Sequence, residues 1–300
     1  MSCLISCHEI NKYYGSKHAL KNVNFELESG TTTALVGPNG AGKTTLFSLL
    51  CNYHLPNTGR IEIMGHQPGS HQLFGQLGAL PQDAQLDPRF AIKHQLGLYA
   101  KLQGFDKKQA QQECQRVLEL VELTDIAGER PAALSHGMRK RVTIAQALIG
   151  QPKLVMLDEP TAGLDPTNAR NIRQLVMNLS GEVSFIISSH NLDELERLCD
   201  NVLLLEQGNL TQQSVRHHDT EQQQSITLLL DNIQQDTYNK LQSMTGVIAA
   251  EQLNKAEFIL RYDPKMTPNF DIELIQQLRQ QQLNYRQLTK GLSLEQQLFS

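Results

Sequence analysis

The sequence predicts an α/β fold. It reads as a core of buried, largely parallel strands with a helical subdomain inserted, followed by a small α+β domain of ferredoxin-like order. Three observations carry this expectation. Short apolar runs at residues 33–36, 154–157, 185–188 and 202–205 have the length and unbroken hydrophobicity of strands covered on both faces. Helix-period stretches at 168–179 and 192–199 alternate with them, as in a parallel sheet covered by helices. Residues 92–150 instead read as helix throughout, broken at 104–106 and 128–133, and so form an insert.

The remaining elements follow in order. Residues 4–10 and 23–27 alternate as half-exposed strands. Residues 59–64 form a further strand closed by Gly65, and 78–80 a short one ending at Pro81. A polar segment at 212–224, with His217, His218 and a glutamine run, reads as a linker. Beyond it the expected order is strand 225–230, helix 235–244, strands 247–252 and 257–262, helix 270–281 and strand 285–288. The expected domains are therefore 1–211, with the helical insert at about 91–150, then the linker 212–224 and the accessory domain 225–300.

Bulk properties narrow the class. With 300 residues, 40% of them hydrophobic and 19% charged, the chain can bury a sizeable core and is not disordered. A net charge of -4 gives no basic footprint, so no nucleic acid partner is expected. No apolar run approaches the ~20 residues of a membrane helix, and the first ten residues show no secretory pattern. The five cysteines are odd in number and scattered, which fits a reduced compartment rather than a disulfide framework. Cys3 and Cys7 have no second ligand pair to complete a metal site.

The chemistry concentrates in a few motifs. Gly37, Pro38, Asn39, Gly40, Ala41, Gly42, Lys43, Thr44 and Thr45 follow the strand at 33–36 and precede a helical run. That order builds a phosphate cradle: the glycines turn backbone N–H groups inward, and the helix start adds its dipole. Lys43 can reach the β- and γ-phosphates, and the Thr44 hydroxyl can coordinate Mg²⁺. A nucleoside triphosphate is the expected ligand. Two acids, Asp158 and Glu159, end the apolar strand at 154–157. There Asp158 can hold Mg²⁺ through water, and Glu159 can act as general base on the water that attacks the γ-phosphate.

Leu134, Ser135, His136, Gly137 and Met138 open a helix ahead of the acidic strand. With the phosphate loop, this run resembles the signature of ABC-type ATPases. The match runs in order over most of residues 1 to about 210. The chain resembles the nucleotide-binding subunit of an ABC transporter, most closely the drug-, polysaccharide- and nodulation-factor-type export subunits that pair with separate membrane proteins. The resemblance implies a P-loop NTPase core of ABC type with a mixed sheet.

The resemblance also implies roles at matching positions. Tyr14 matches the aromatic that stacks on adenine, with Tyr13 as its rival. Gln82 matches the glutamine that senses Mg²⁺ and the attacking water. Asp165, in the loop 162–165, matches the acid that shapes the contact between two subunits, and His190 matches the switch histidine at the γ-phosphate. Two departures stand out: His136 replaces the first signature glycine, and Met138 replaces the glutamine. Ser135 and Gly137 are retained, so a working site is expected. His136 at the pocket rim could modulate dimerisation when protonated, or be a tolerated surface residue.

The implied mechanism is ATP-driven pairing of two copies, head to tail, each offering Ser135 and Gly137 to the other's ATP, with hydrolysis releasing them. The implied partner is a separate transmembrane permease at the cytoplasmic face of the membrane, touched by the segment 82–90 with Arg89 and Phe90 as contacts. Residues 128–130 carry a weaker signal for the same partner. The competing expectation is a soluble ABC-type ATPase acting in translation, DNA maintenance or regulation. For the accessory domain two readings stand, ligand-binding regulation and dimer stabilisation.

Overall fold

The computed structural model describes residues 3–189, 195, 198–214, 224–231, 233 and 236–291. The chain divides into two compact units, Met1–Ser214 and Val215–Ser300.

The first unit begins with two long strands, β1 (Cys3–Tyr14) and β2 (Lys17–Glu28), joined by a turn in which Gly15 takes a φ of 57°. They pair antiparallel, and β4 (Thr58–Ile63) adds to β1 to give a three-stranded sheet in the order β2-β1-β4. The main sheet has six strands in the order β5-β6-β7-β3-β8-β9. These are β3 (Thr32–Val36), β5 (Leu77–Leu80), β6 (Leu154–Asp158), β7 (Ser184–Ser189), β8 (Asn201–Glu206) and β9 (Asn209–Ser214). All neighbours are parallel except β8 and β9. Every residue of β3, β6 and β7 is buried. Their apolar runs are unbroken because both faces of a parallel sheet are covered.

One face of that sheet, through Leu35, Met156, Ile186 and Leu203, shares a core with α1 (Lys43–Leu50) and with the three-stranded sheet. On α1 the buried Leu46, Phe47, Leu49 and Leu50 recur at helical spacing, which directs that face inward. Elsewhere Ile172 and Val176 of α5 (Pro166–Leu179) line one small cavity with Ile187 of β7.

The inserted region contains α2 (Ile92–Leu102), α3 (Lys107–Leu120) and α4 (His136–Ala147). Helix α3 opens with a capping box. Asp106 accepts from the N–H of Lys108 and Gln109, both at 2.8 Å, and Gln109 returns a bond to the Asp106 N–H at 2.9 Å. Buried Glu113 ties α3 to the end of α4: its carboxylate takes Arg116 at 2.5 Å and the Gly150 N–H at 2.7 Å. Helix α4 in turn lies hard against β5, since a methyl on Gly78 would stand 1.9 Å from the Ala147 carbonyl oxygen.

The second unit holds β10 (Gln224–Leu230), α6 (Thr237–Gln242), β11 (Val247–Gln252), β12 (Glu257–Tyr262), α7 (Phe270–Gln280) and β13 (Tyr285–Lys290). The sheet order is β11-β12-β10-β13, all antiparallel, which is the ferredoxin-like arrangement. Its core joins Ile226, Leu228, Phe258, Leu260 and Tyr262 of the sheet to Leu241, Phe270, Leu274 and Leu278 of the helices. Phe270 stacks on Tyr262 with ring centroids 4.4 Å apart.

One expectation is corrected. Residues 212–214 belong to β9, and Gln224 already belongs to β10, so neither end of the segment 212–224 is linker. Gln207 and Gly208, at φ 47° and 86°, make the tight turn that folds β9 back on β8. A polar strand fits there because β9 lies at the sheet edge. Among the described residues, no helix is long and apolar enough to cross a membrane.

Candidate active site

The phosphate loop runs from the carboxyl end of β3 into α1. Gly37 is required by close approach: a side chain there would begin 2.1 Å from the Leu205 carbonyl oxygen of β8. Gly42 caps α1 at φ 119°, with no side chain to satisfy the first-turn N–H groups. The positive end of the helix is thus left for an anion held by the loop. Lys43 is buried, and its ammonium donates to the carbonyls of Gly37 at 2.6 Å and Pro38 at 3.3 Å.

Strand order sets what meets this loop. Because β6 lies one strand beyond β7, Asp158 ends its strand opposite Ser188. Asp158 is 2% exposed, and both its oxygens are taken. Thr44 Oγ1 donates to Oδ2 at 3.2 Å, and Ser188 Oγ donates to Oδ1. Ser188 Oγ also accepts the Glu159 N–H at 2.8 Å. Glu159 itself is buried and left-handed, at φ 48°. A non-glycine residue in that region costs about 1–2 kcal/mol, so its surroundings must hold it there.

Lys43, Thr44, Asp158 and Glu159 line one cleft of about 380 Å³, together with Tyr14, Lys17, Asn39, Gly40, Gly42, Thr45 and Gln82. A second cavity of about 450 Å³ shares Gln82 and Glu159 and is lined as well by His136, Arg139 and Lys140 of α4. Burial holds the Lys140 ammonium below the usual lysine range, opposed by the negative charges of Asp158 and Glu159. Behind the loop, burial and the Asp158 charge push the Cys51 thiol up to about 12.

The two tyrosines at the end of β1 differ. The Tyr13 ring is stacked on His18 at 4.0 Å. Tyr14 lines the cleft, with His54 edge-on at 5.9 Å and the Lys12 ammonium 5.3 Å from its ring centre.

Ser135, Gly137 and Asp165 are not part of this cleft. Ser135 caps α4, its hydroxyl oxygen accepting the Met138 N–H at 3.2 Å. Asp165 caps α5, accepting from the N–H of Thr167 and Asn168, both at 3.1 Å. The Asn168 side-chain hydrogen bond, followed by the backbone ones, holds the Asp165 carboxyl below the usual range. His190 lies outside the described residues.

Three residues of these sites escaped the sequence reading: Lys17, which lines the cleft from β2, Ser188 and Asn168. Ser188 did leave a signal, a polar residue following three apolar ones in a buried strand. Lys17 and Asn168 left none.

The cleft puts a glycine loop, a lysine and a helix start, groups suited to an anion, opposite two buried acids and the hydroxyls of Thr44 and Thr45. Residues 20–162 match the family model described as ABC transporter. The chain is 35% identical over 195 residues to ABC transporter A family member 8 of Dictyostelium discoideum, covering 64% of this chain but 23% of that protein. It is 34% identical over 203 residues to the Nod factor export ATP-binding protein I of Rhizobium sp. (strain N33), covering 66% of each. To the linearmycin resistance ATP-binding protein LnrL of Bacillus subtilis (strain 168) it is 32% identical over 210 residues, covering 69% of this chain and 68% of that one. The chain thus spans about two thirds of the length of the two bacterial relatives and under a quarter of the Dictyostelium one. Among solved structures, cbiO1 of Clostridium perfringens, part of the ABC transporter complex cbiONQ, superposes with a TM-score of 0.65 at 27% identity, covering 72% of this chain and 90% of that one. The fold, the ordered motifs and these likenesses agree: the chain belongs to the ABC transporter family.

Proposed function

We propose that this chain is the ATP-hydrolysing subunit of a membrane export complex. The observation that carries the reading is the division of the motifs. Lys43, Thr44, Asp158, Glu159 and Gln82 share one cleft, while Ser135, Gly137 and Asp165 stand outside it. A second copy, related by a two-fold axis, would supply the missing half of the site. ATP then binds two chains together, and loss of the γ-phosphate releases them.

Within one cleft the roles divide as follows. The loop amides of residues 37–45 and Lys43 hold the phosphates, and Tyr14 stacks on the base. Thr44 and Asp158 supply adjacent hard oxygen donors, which fit Mg²⁺ in number and kind, the substrate's phosphates completing its shell. When bound, that ion neutralises charge on the phosphates. Glu159 takes the proton of the attacking water, and Gln82 and His190 orient that water.

The permease partner fits the helical insert. A groove of about 980 Å³ opens beside α2 and α3, with Phe90 and Leu98 on its wall and Lys93, Lys101 and Lys107 around it. The neighbouring loop is held stiff. The buried Gln95 amide bonds the carbonyls of Asp87 and Phe90 at 3.0 and 2.9 Å. The Arg89 side chain beside Asp87 holds that carboxyl down to about 2. Arg89 and Phe90 are our contacts for the permease, which puts the chain at the cytoplasmic face of a membrane. The names of the two bacterial relatives, one for Nod factor export and one for linearmycin resistance, support the export direction.

Glu159→Gln tests the core of this reading. It should keep ATP binding and trap the paired state while turnover falls by about 10²- to 10⁴-fold. Near-normal turnover would remove Glu159 from the mechanism. Copurification with ribosomes rather than with a membrane protein would overturn the transport role.

A further inference from the structure

We infer that Ser188 is a positioning residue for hydrolysis, one hydroxyl that sets both acids of the site. The inference rests on the reading of Glu159 as general base. Ser188 is 0% exposed, and it stands next to last in β7, opposite Asp158. Its hydroxyl works in both directions. It donates to Asp158 Oδ1, and it accepts the Glu159 N–H at 2.8 Å.

Each bond has a consequence for the chemistry. The bond to Oδ1 turns the Asp158 carboxylate so that Oδ2 meets Thr44 Oγ1 at 3.2 Å. Ser188 thereby aims the oxygen that stands next to the phosphate loop. The bond from the Glu159 N–H acts on the backbone instead. Glu159 sits at φ 48°, a left-handed conformation that costs a non-glycine residue about 1–2 kcal/mol, and that conformation sets the direction in which its side chain leaves the chain. Without an acceptor at Ser188, the Glu159 N–H would lose this hydrogen bond and the left-handed turn would lose a support. Serine fits both tasks because a hydroxyl is donor and acceptor at once. Ser188 follows three buried apolar residues, Phe185, Ile186 and Ile187, and its own buried hydroxyl is accounted for by these two hydrogen bonds.

The test is steady-state ATPase kinetics on the full chain with its Mg²⁺ and ATP supplied. Ser188→Ala should lower kcat by about 10- to 100-fold, the loss typical of a misplaced catalytic group, with the KM for ATP changed by less than about twofold. Ser188→Thr, which keeps the hydroxyl, should restore kcat to within about threefold of wild type. In a Glu159→Gln background, Ser188→Ala should lower turnover less than it does in wild type, because only Asp158 of the two acids it positions remains. Wild-type kcat in a folded Ser188→Ala protein, equal losses in the Ala and Thr variants, or full additivity with Glu159→Gln would each overturn the inference. If Ser188→Ala does not fold, Ser188→Cys takes its place; it keeps the volume with a weaker donor and acceptor, and a wild-type kcat there overturns the inference equally. A slow Glu159→Gln enzyme beside a normal Ser188→Ala enzyme would refute the role of Ser188 alone. A normal Glu159→Gln enzyme would refute the general base itself.

Discussion

Asn168 occupies the space that any side chain on Gly137 would need: a methyl built on Gly137 would stand 2.4 Å from the Asn168 carboxamide. The same carboxamide donates to Asp165 Oδ2 at 2.6 Å. Across this contact the start of α4 lies close against the cap of α5. Close by, His136 Nε2 lies 3.8 Å from where a methyl on Gly163 would be.

Gly137→Ala should therefore separate stability from activity. Alanine is the better helix former by about 1 kcal/mol, and the Asn168 side chain can swing aside, so thermal stability should move by no more than that amount. Swinging aside detaches Asn168 from Asp165, and turnover should fall by at least about tenfold. Calorimetry and phosphate release measure the two effects. Unchanged turnover would reduce the contact to packing.

Gly37→Ala should behave in the opposite way. The obstructing atom is the carbonyl oxygen of Leu205, part of the β8 backbone, and it cannot rotate away. A loss of more than about 3 kcal/mol is expected, visible as a lower urea midpoint or as failure to fold.

Tyr14→Ala should raise the KM for ATP by about tenfold, the value of one base stacked on an aromatic ring, and leave kcat alone. Tyr13→Ala should leave KM unchanged, because the Tyr13 ring is already stacked on His18. The reverse pattern would move the base to Tyr13.

Glu113 gives a pH dependence. Burial pushes its carboxyl up, but the Arg116 and Gly150 hydrogen bonds and the Arg116 charge outweigh burial and leave it below the usual range. A carboxyl lowered in the folded state stabilises above its unfolded pKa of about 4.3 and loses that contribution as pH falls through its folded value. Glu113→Gln should thus be less stable than wild type by about 1.5–3 kcal/mol at pH 7, and the gap should close below pH ~4. Urea midpoints across that range decide it; a gap that persists in acid would mean a shape effect, not a charge effect.

Much of this architecture is legible locally. The runs at 154–157 and 185–188 read as buried strands and occur as β6 and β7, each one or two residues longer. The accessory domain follows the expected strand and helix order, with Phe258, Ile259, Leu260 and Tyr262 buried in the strand 257–262 and Phe270, Leu274 and Leu278 buried at helical spacing in the helix after it. The failure at 212–224 has a clear cause. An edge strand is polar and needs no hydrophobic signature, so β9 looks like a linker until its pairing with β8 is seen.

The chain's own order of residues determined the phosphate loop, the acids after an apolar strand and the alternation of the core. Each depends on backbone geometry over a few consecutive positions, where steric limits and helix or strand spacing act directly. Only the tertiary structure decided that Ser188 would bridge Asp158 and Glu159, that Asn168 would lie against Gly137, and that Tyr14 rather than Tyr13 would face the cleft. Strand order and helix packing bring Ser188 to Asp158 across 30 positions and Asn168 to Gly137 across 31, and Tyr14 into one cleft with Asp158 across 144, and no local spacing encodes which side chain will stand opposite.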